Sequence, residues 1–595
     1  MRISIDTGGT FTDVILQDDE GALRLYKSPT TYDDLIQGFL EGIRLAAMDL
    51  KLSTRELLAK VELIIHGTTI ATNATLTGNT AKTAFLTTAG HPDVLVLREG
   101  GRLGLPVFDY SIAYPEPYVP RALTYEVPER VTAEGQIDQA LDETATEVII
   151  DELRERNVEA VGICFLWSIV NPVHELRAGE LLADGLPNVP VTLSHQINPS
   201  LREYRRASST CIDASLKPLM GRYLHDLEQR LREAGFDGRL LVVTSQGGMM
   251  EAESLGKRPI HSLMSGPAMA PIAGRHYAQM DAAADTAIIA DTGGTTYDLS
   301  VIRHGRIPRT RESWLGRPYL GHMTGFPAVD VRSVGAGGGS IASVDEAGLL
   351  QVGPASAGSQ PGPACYGRGG TSATVTDAAL ILGYIDPGYF LGGSMPLDMV
   401  RAHEVMLRDV GAPLGLDLHQ SAAAVIAVMT ENMVAAIEDV TVNQGIDPRD
   451  ALLVGGGGAA GLNAVKIARR LGCTKVIIPD VGAALSAAGG HLSDLGTEFA
   501  KLHVTSCSRF DYAGVNRTLA SLNDQCEQFV ADTGLPVFDQ RIEFFVEARY
   551  AEQIWEIEVP LSTSEFSAQN EIDALAEEFH KIHRELFASM TENQR

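Results

Sequence analysis

The segment Asp6-Thr7-Gly8-Gly9-Thr10-Phe11-Thr12-Asp13 returns in the second half of the chain as Asp291-Thr292-Gly293-Gly294-Thr295-Thr296-Tyr297-Asp298. Each copy follows an apolar run that reads as a strand ("ISI", "AIIA") and leads into a second one ("VILQ", "LSVI"). A chain of 595 residues exceeds what one hydrophobic core organises, and two matched hairpins constrain it to fold as two related units. Such a turn gathers backbone N–H groups that cradle phosphate oxygens. Gly8 and Gly9, and Gly293 and Gly294 in the second copy, are expected to leave room for a nucleotide, with positive φ at positions 8 and 9. Thr7, Thr10 and Thr12 in the first copy, and Thr292, Thr295 and Thr296 in the second, offer hydroxyls. Asp6 and Asp291, at the ends of their strands, are placed to hold a hydrated Mg²⁺ or Mn²⁺. One such hairpin says little, since Gly-Gly turns that bind nothing are common. Two of them suggest phosphates gripped from both sides of a cleft.

Strands alternate with helical stretches through most of the sequence, which indicates an α/β fold. Three units are expected: 1–200 with the first hairpin, 201–500 with the second, and a smaller α+β unit at 501–595. The long helix-prone stretch from Ile197 to Gly235 is expected to cross between the two lobes. A net charge of −28 repels phosphate backbones and anionic lipid, so neither nucleic acid nor membrane is an expected partner. The six cysteines contain no Cys-x-x-Cys pair, the pattern of reduced thiols rather than a disulfide framework. With no leader-like start and no apolar stretch of membrane-spanning length, a cytoplasmic protein is expected.

Two further stretches fall in an informative order. Gly455, Gly456, Gly457 and Gly458 follow the strand-like "ALLV", and "GAALSAAGGHLSDL" begins at Gly482. Together with the paired hairpins, this resembles the actin-like ATPase and sugar-kinase superfamily, whose two lobes hold ATP between paired phosphate hairpins. The resemblance makes the glycine run an adenosine motif and the later stretch a connecting helix. More narrowly, "DTGGTFTDV", "HGTTIATNA", "LREYRRASST", "SGPAMAP", "VGAGGGSIA" and "GPACYGRGG" are similar to the hydantoinase A/oxoprolinase family over most of the chain.

That resemblance implies an ATP-dependent subunit acting on a small carbonyl substrate with a hydantoinase B-like partner. Members open cyclic amides or carboxylate ketones, and a phosphorylated carbonyl oxygen unites both chemistries. "LREGGRLGLPVFDY" and the early end at "FASMTENQR" resemble the aryl-ketone carboxylase branch, of the acetophenone type. In that branch bicarbonate is a co-substrate and a small subunit completes the C-terminus. The alternative is a hydantoinase, oxoprolinase or lactamase subunit; a shortened chain would explain the same ending.

Outside the hairpins the residues leave alternatives open. His66 follows the apolar "ELII" and is either a packed core histidine or a catalytic group facing the substrate. Arg202, Arg205 and Arg206 are either a solvated helix face or a clamp for carboxylate or bicarbonate. Cys365 has no assignable base and reads as a packed loop thiol. The loop Gly335–Ser340 either shapes a pocket or lets two lobes approach.

Overall fold

Ile3 and Ile5 alternate with polar Ser4 and Asp6 along β1 (Arg2–Thr7), which turns back at Gly8 into β2 (Phe11–Gln17). The computed structural model describes residues 1–31, 34–99, 108–533, 539–554 and 556–587. Most of "LREGGRLGLPVFDY" and the tail beyond Phe587 lie outside them. β3 (Leu23–Pro29) pairs antiparallel with β2, and α1 (Leu35–Asp49), capped by Asp34, buries Ile36, Phe39 and Ile43 against the sheet. β4 (Leu63–Thr68) then returns parallel to β1.

Here the chain leaves the sheet and builds a second one, from β5 (Thr83–Thr88), β6 (Thr124–Val127), β7 (Ala160–Cys164) and β8 (Val191–Leu193). All four run parallel, in the order β8-β7-β5-β6. Helix α2 (Glu203–Glu233) follows. Its first half packs Tyr204, Ala207 and Cys211 against Phe85 and Cys164, and its second half packs Leu216, Met220 and Leu224 into the core with Ile3 and Ile5. So α2 clamps the two sheets of one lobe together and does not cross between lobes. β9 (Arg239–Val243) and β10 (Met249–Glu251) then complete the first sheet, in the order β10-β9-β4-β1-β2-β3. The boundary expected at residue 200 is therefore corrected. The first lobe claims strands as late as Glu251, because a long insertion separates strands that pair.

Helix α3 (Ser265–Ala282) leads into the second lobe. There β11 (Ala287–Thr292), β12 (Tyr297–Ile302), β13 (Arg332–Val334), β14 (Leu452–Gly456) and β15 (Val476–Ile477) lie in the order β13-β12-β11-β14-β15. The pairings repeat those of β1, β2, β3, β4 and β9. The first three strands are antiparallel, and the last two run parallel to the first of the set. Helix α4 (Leu418–Asn443) corrects the expectation that no stretch reaches membrane-spanning length and apolarity. Its Val425, Ile426, Met429, Met433 and Ile437 are buried in the core of the second lobe, which accounts for its apolar character. Beyond it, α5 (Leu485–Leu492) packs back between the lobes. The C-terminal unit comprises α6 (Tyr512–Thr533), a hairpin of β16 (Phe545–Ala548) and β17 (Ile557–Pro560), and α7 (Gln569–Phe587). It buries small clusters of its own around Leu519, Ile572 and Val559.

Between the lobes lies a core of small side chains. Ala270 and Ala273 of α3 meet Ala487 and Ala488 of α5, with Ile15 from one sheet and Ile289 and Val454 from the other. Small residues let the two helices cross with their backbones nearly touching. A Cβ at Gly489 would run into the carbonyl of Met269, and one at Gly490 would come to 2.6 Å from the Ser4 hydroxyl. Overpacking a core of this kind costs about 1–3 kcal/mol. Gly489→Val is expected to destabilise the chain by at least that amount, read as a lowered urea midpoint with an unchanged slope.

Candidate functional site

Both hairpins close with the same hydrogen bond: Gly8 N–H donates to the Phe11 carbonyl at 3.1 Å, and Gly293 N–H to Thr296 at 2.9 Å. Neither turn uses left-handed backbone, since none of Gly8, Gly9, Gly293 and Gly294 has a positive φ. The expectation for positions 8 and 9 is corrected: these glycines provide space. A Cβ at Gly294 would sit 2.8 Å from the Thr10 hydroxyl, whereas one at Gly9 would meet nothing within 4 Å. The hairpin tips touch across the cleft, with the hydroxyls of Thr10 and Thr295 3.4 Å apart.

Other candidates brace this contact. Thr12 is buried behind its hairpin beside Thr30, whose hydroxyl donates to the Gly8 carbonyl at 2.8 Å. Thr7 is buried, and its hydroxyl has no hydrogen-bond partner. The Thr292 carbonyl accepts from Ala459 N–H, which ties the glycine run to the second hairpin. Gly455 and Gly456 end β14 in packed surroundings. Gly457 has φ +85°, and a Cβ there would collide with the Thr292 carbonyl and the Asp291 carboxylate. Gly458 faces the opposite lobe, where a Cβ would lie 3.5 Å from Lys27 Nζ. The loop Gly335–Ser340 supports the second hairpin from below: Gly338 and Gly339 N–H groups donate to the carbonyls of Gly293 and Gly294.

The registers of the two lobes superimpose residue for residue. In the first, Asp6 pairs with Asp13 and with Gly67, and Asp13 pairs with Lys27. In the second, Asp291 pairs with Asp298 and Gly456, and Asp298 pairs with Ser333. Four carboxylates thus converge. Burial, then the charges of Asp13, Asp291 and Asp298, push Asp6 up to about 8. Burial and then Asp298 push Asp291 up to about 7, against a hydrogen bond from the Ser486 hydroxyl at 2.8 Å. Asp298 is pushed up to about 6 by burial, opposed by hydrogen bonds from Ser333 and Thr296. The Oδ1 atom of Asp6 is buried without a hydrogen-bond partner. Among the described residues, Lys27 is the cation in this setting, ion-paired with Asp13 at 2.6 Å.

An orphaned carboxylate oxygen among like charges is a site that a divalent cation would relieve. Asp6 and Asp291 are the residues that would hold it, through water. Among the described residues, no three His, Cys, Asp or Glu side chains converge into a direct metal cage.

His66 is not brought to this cleft. It pairs with Ile5, on the opposite face of the sheet from Asp6 and Gly67. Its Nε2 lies 2.8 Å from the Tyr223 hydroxyl, its ring packs edge-on to Phe39, and burial lowers it to about 4. It is a neutral core histidine, which corrects the catalytic reading. The arginines form no solvated face either. Arg205 grips Glu99 and Glu312, Arg206 is buried with its guanidinium on the Ser200 and Phe165 carbonyls, and Arg202 reaches Glu556 of the C-terminal unit. Cys365 is buried, and burial raises its thiol further from ionisation.

Two sheets of one repeated topology, joined by crossing helices beneath facing hairpins, define the actin-like ATPase and sugar-kinase type of fold. A hydantoinase/oxoprolinase N-terminal region model matches residues 2–185, and a hydantoinase/oxoprolinase model matches 206–499. The caprolactamase subunit alpha of Pseudomonas jessenii is 37% identical, with 99% of this chain and 84% of that one aligned. The acetophenone carboxylase gamma subunit of Aromatoleum aromaticum is 31% identical over 93% of this chain and 77% of that one. The crystal structure of the ATP-dependent caprolactamase from Pseudomonas jessenii superimposes with a TM-score of 0.84 at 36% identity, covering 100% of this chain and 86% of that chain. The chain belongs to the hydantoinase/oxoprolinase family.

The raised carboxyls have a consequence for stability. Between the ordinary value of 3.8 and about 8, the unfolded chain has released the proton that folded Asp6 keeps, so the ligand-free protein loses stability as pH rises through that window. Asp6→Asn removes the group, and the ligand-free variant is expected to be more stable than the parent at pH 8, by about 1–3 kcal/mol, with the gap closing toward pH 4. Denaturant titrations at the two pH values measure this.

Proposed function

We propose that this chain is the ATP-dependent subunit of a heteromeric enzyme that activates a carbonyl oxygen by phosphoryl transfer. The observation that carries the reading is the meeting of the two phosphate-type hairpins, Thr10 against Thr295, above Asp6 and Asp291. The turns offer N–H groups and hydroxyls to a phosphate chain, and Gly9 leaves the space for it. The Gly455–Gly458 turn is the adenosine end, held against Asp291 through Gly457. A divalent cation held by Asp6 and Asp291 through water would neutralise phosphate charge. Asp6 and Asp291 must shed their protons to hold it, so cation affinity rises with pH toward 8.

A cyclic amide is the substrate class best supported. Phosphoryl transfer to an amide oxygen releases ADP and makes the carbon electrophilic. Water then adds, the C–N bond opens and phosphate departs. The higher identity to a caprolactamase subunit favours this class and reverses the order expected from the sequence, where the aryl-ketone carboxylase led. The ketone reading keeps a specific support in the acetophenone carboxylase relative; under that reading bicarbonate would be the co-substrate. Both relatives are named as subunits, which supports a partner chain, of the hydantoinase B-like type, for the step after phosphorylation.

The test is ATP consumption by the complex assembled with its partner, against a panel of lactams, hydantoins and aryl ketones with bicarbonate. ADP release that requires a cyclic amide is expected. Release that requires the ketone moves the assignment to carboxylation, and release indifferent to every carbonyl compound rejects the phosphoryl-transfer reading. Asp291→Ala is expected to lower coupled turnover by about 100-fold or more, with the folded state retained by circular dichroism.

A further inference from the structure

The duplicated registers differ at one telling place. On the third strand of each sheet, the residue beside the last aspartate of the hairpin is Lys27 in the first lobe and Ser333 in the second. Serine answers Asp298 with a neutral hydrogen bond, whereas lysine brings the first lobe a full positive charge. No local motif announces Lys27, which sits in an ordinary strand, "LRLYKSP".

Several observations say that this charge does more than neutralise Asp13. The ammonium reaches across the cleft to within 3.5 Å of a Cβ built on Gly458, in the turn of the opposite lobe. It stands over the Phe11 ring at 5.2 Å from the centroid, which steadies the side chain beside the first hairpin turn. The side chain remains 24% exposed and that of Asp13 20%, so the pair is open to an incoming ligand. Both Asp6 and Asp291 feel its charge, so it acts on a carboxylate of each lobe besides its partner Asp13.

We propose that Lys27 is the phosphate-binding cation of the cleft: its ammonium leaves Asp13 for the polyphosphate of a bound nucleoside triphosphate and so draws the Gly458 turn toward the first hairpin. This rests on the nucleotide reading above and deepens it by assigning a residue that selects for the phosphate chain rather than for the base. Asp13 is the resting counter-ion, which holds the ammonium beside the first hairpin while the cleft is free of ligand. No bond is made or broken in this step; a charge pair is exchanged.

The measurement is equilibrium binding of AMP-PNP and of AMP to the full-length chain, read by competition with a fluorescent nucleotide, with Mg²⁺ present. Lys27→Met is expected to weaken AMP-PNP by about 10-fold or more and AMP by less than about twofold, with Lys27→Arg recovering most of the loss. The double variant Lys27→Met/Asp13→Asn separates binding from simple neutralisation. If Lys27 only silences Asp13, the double variant regains parental AMP-PNP affinity and the proposal falls. If the parent binds AMP-PNP and Lys27→Met binds it equally well, the proposal also falls while the nucleotide reading stands. A parent chain that binds neither nucleotide overturns both.

Discussion

The close crossing of α3 and α5 is the constraint on which the rest of the molecule depends. Two helices rich in alanine and glycine meet with almost no side chain between them, at Met269 and Gly489. Each is tied to a sheet, so their separation fixes how near the two hairpins can stand. Larger residues at the crossing would part the lobes and leave Thr10 and Thr295 facing water. The apolar gain from such small side chains is modest; what they contribute is proximity.

Proximity brings an electrostatic strain that the ligand-free chain meets by holding protons. Asp6, Asp291 and Asp298 stand withdrawn from water, the first two also close to like charges, and their shifts point in the same direction. The duplication explains the arrangement, because each lobe brings two carboxylates on paired strands and closure superposes the sets. It also sets Lys27 apart: where the registers match, the first lobe carries a positive charge and the second a neutral Ser333.

The hairpins were legible because their chemistry is local. Asp, Thr and Gly in consecutive positions make the turn and its donors, and the repeat announced a second lobe. Lys27 was not legible, since its meeting with Asp13 arises from the register of β2 on β3, and nothing in "LYKSP" records that pairing. The lobe boundary was misplaced for a related reason: β9 joins β4 only after some 170 intervening residues, and strand propensity carries no address. His66 was decidable in part from strand parity. In "HGT" the neighbour of a residue facing the cleft must face away, and Gly67, not His66, shares the face of Asp6. The hairpin glycines are a different case, since their turns need no unusual backbone, and at Gly294 it is the close approach of Thr10 that leaves no room for a side chain.

The missing side chain of Gly457 lets the turn after β14 rest directly on the Thr292 carbonyl and the Asp291 carboxylate. A side chain at position 457 would therefore pry the glycine turn off the strand that carries Asp291, parting the two ends of the second lobe's cleft wall while leaving both hairpin sequences intact.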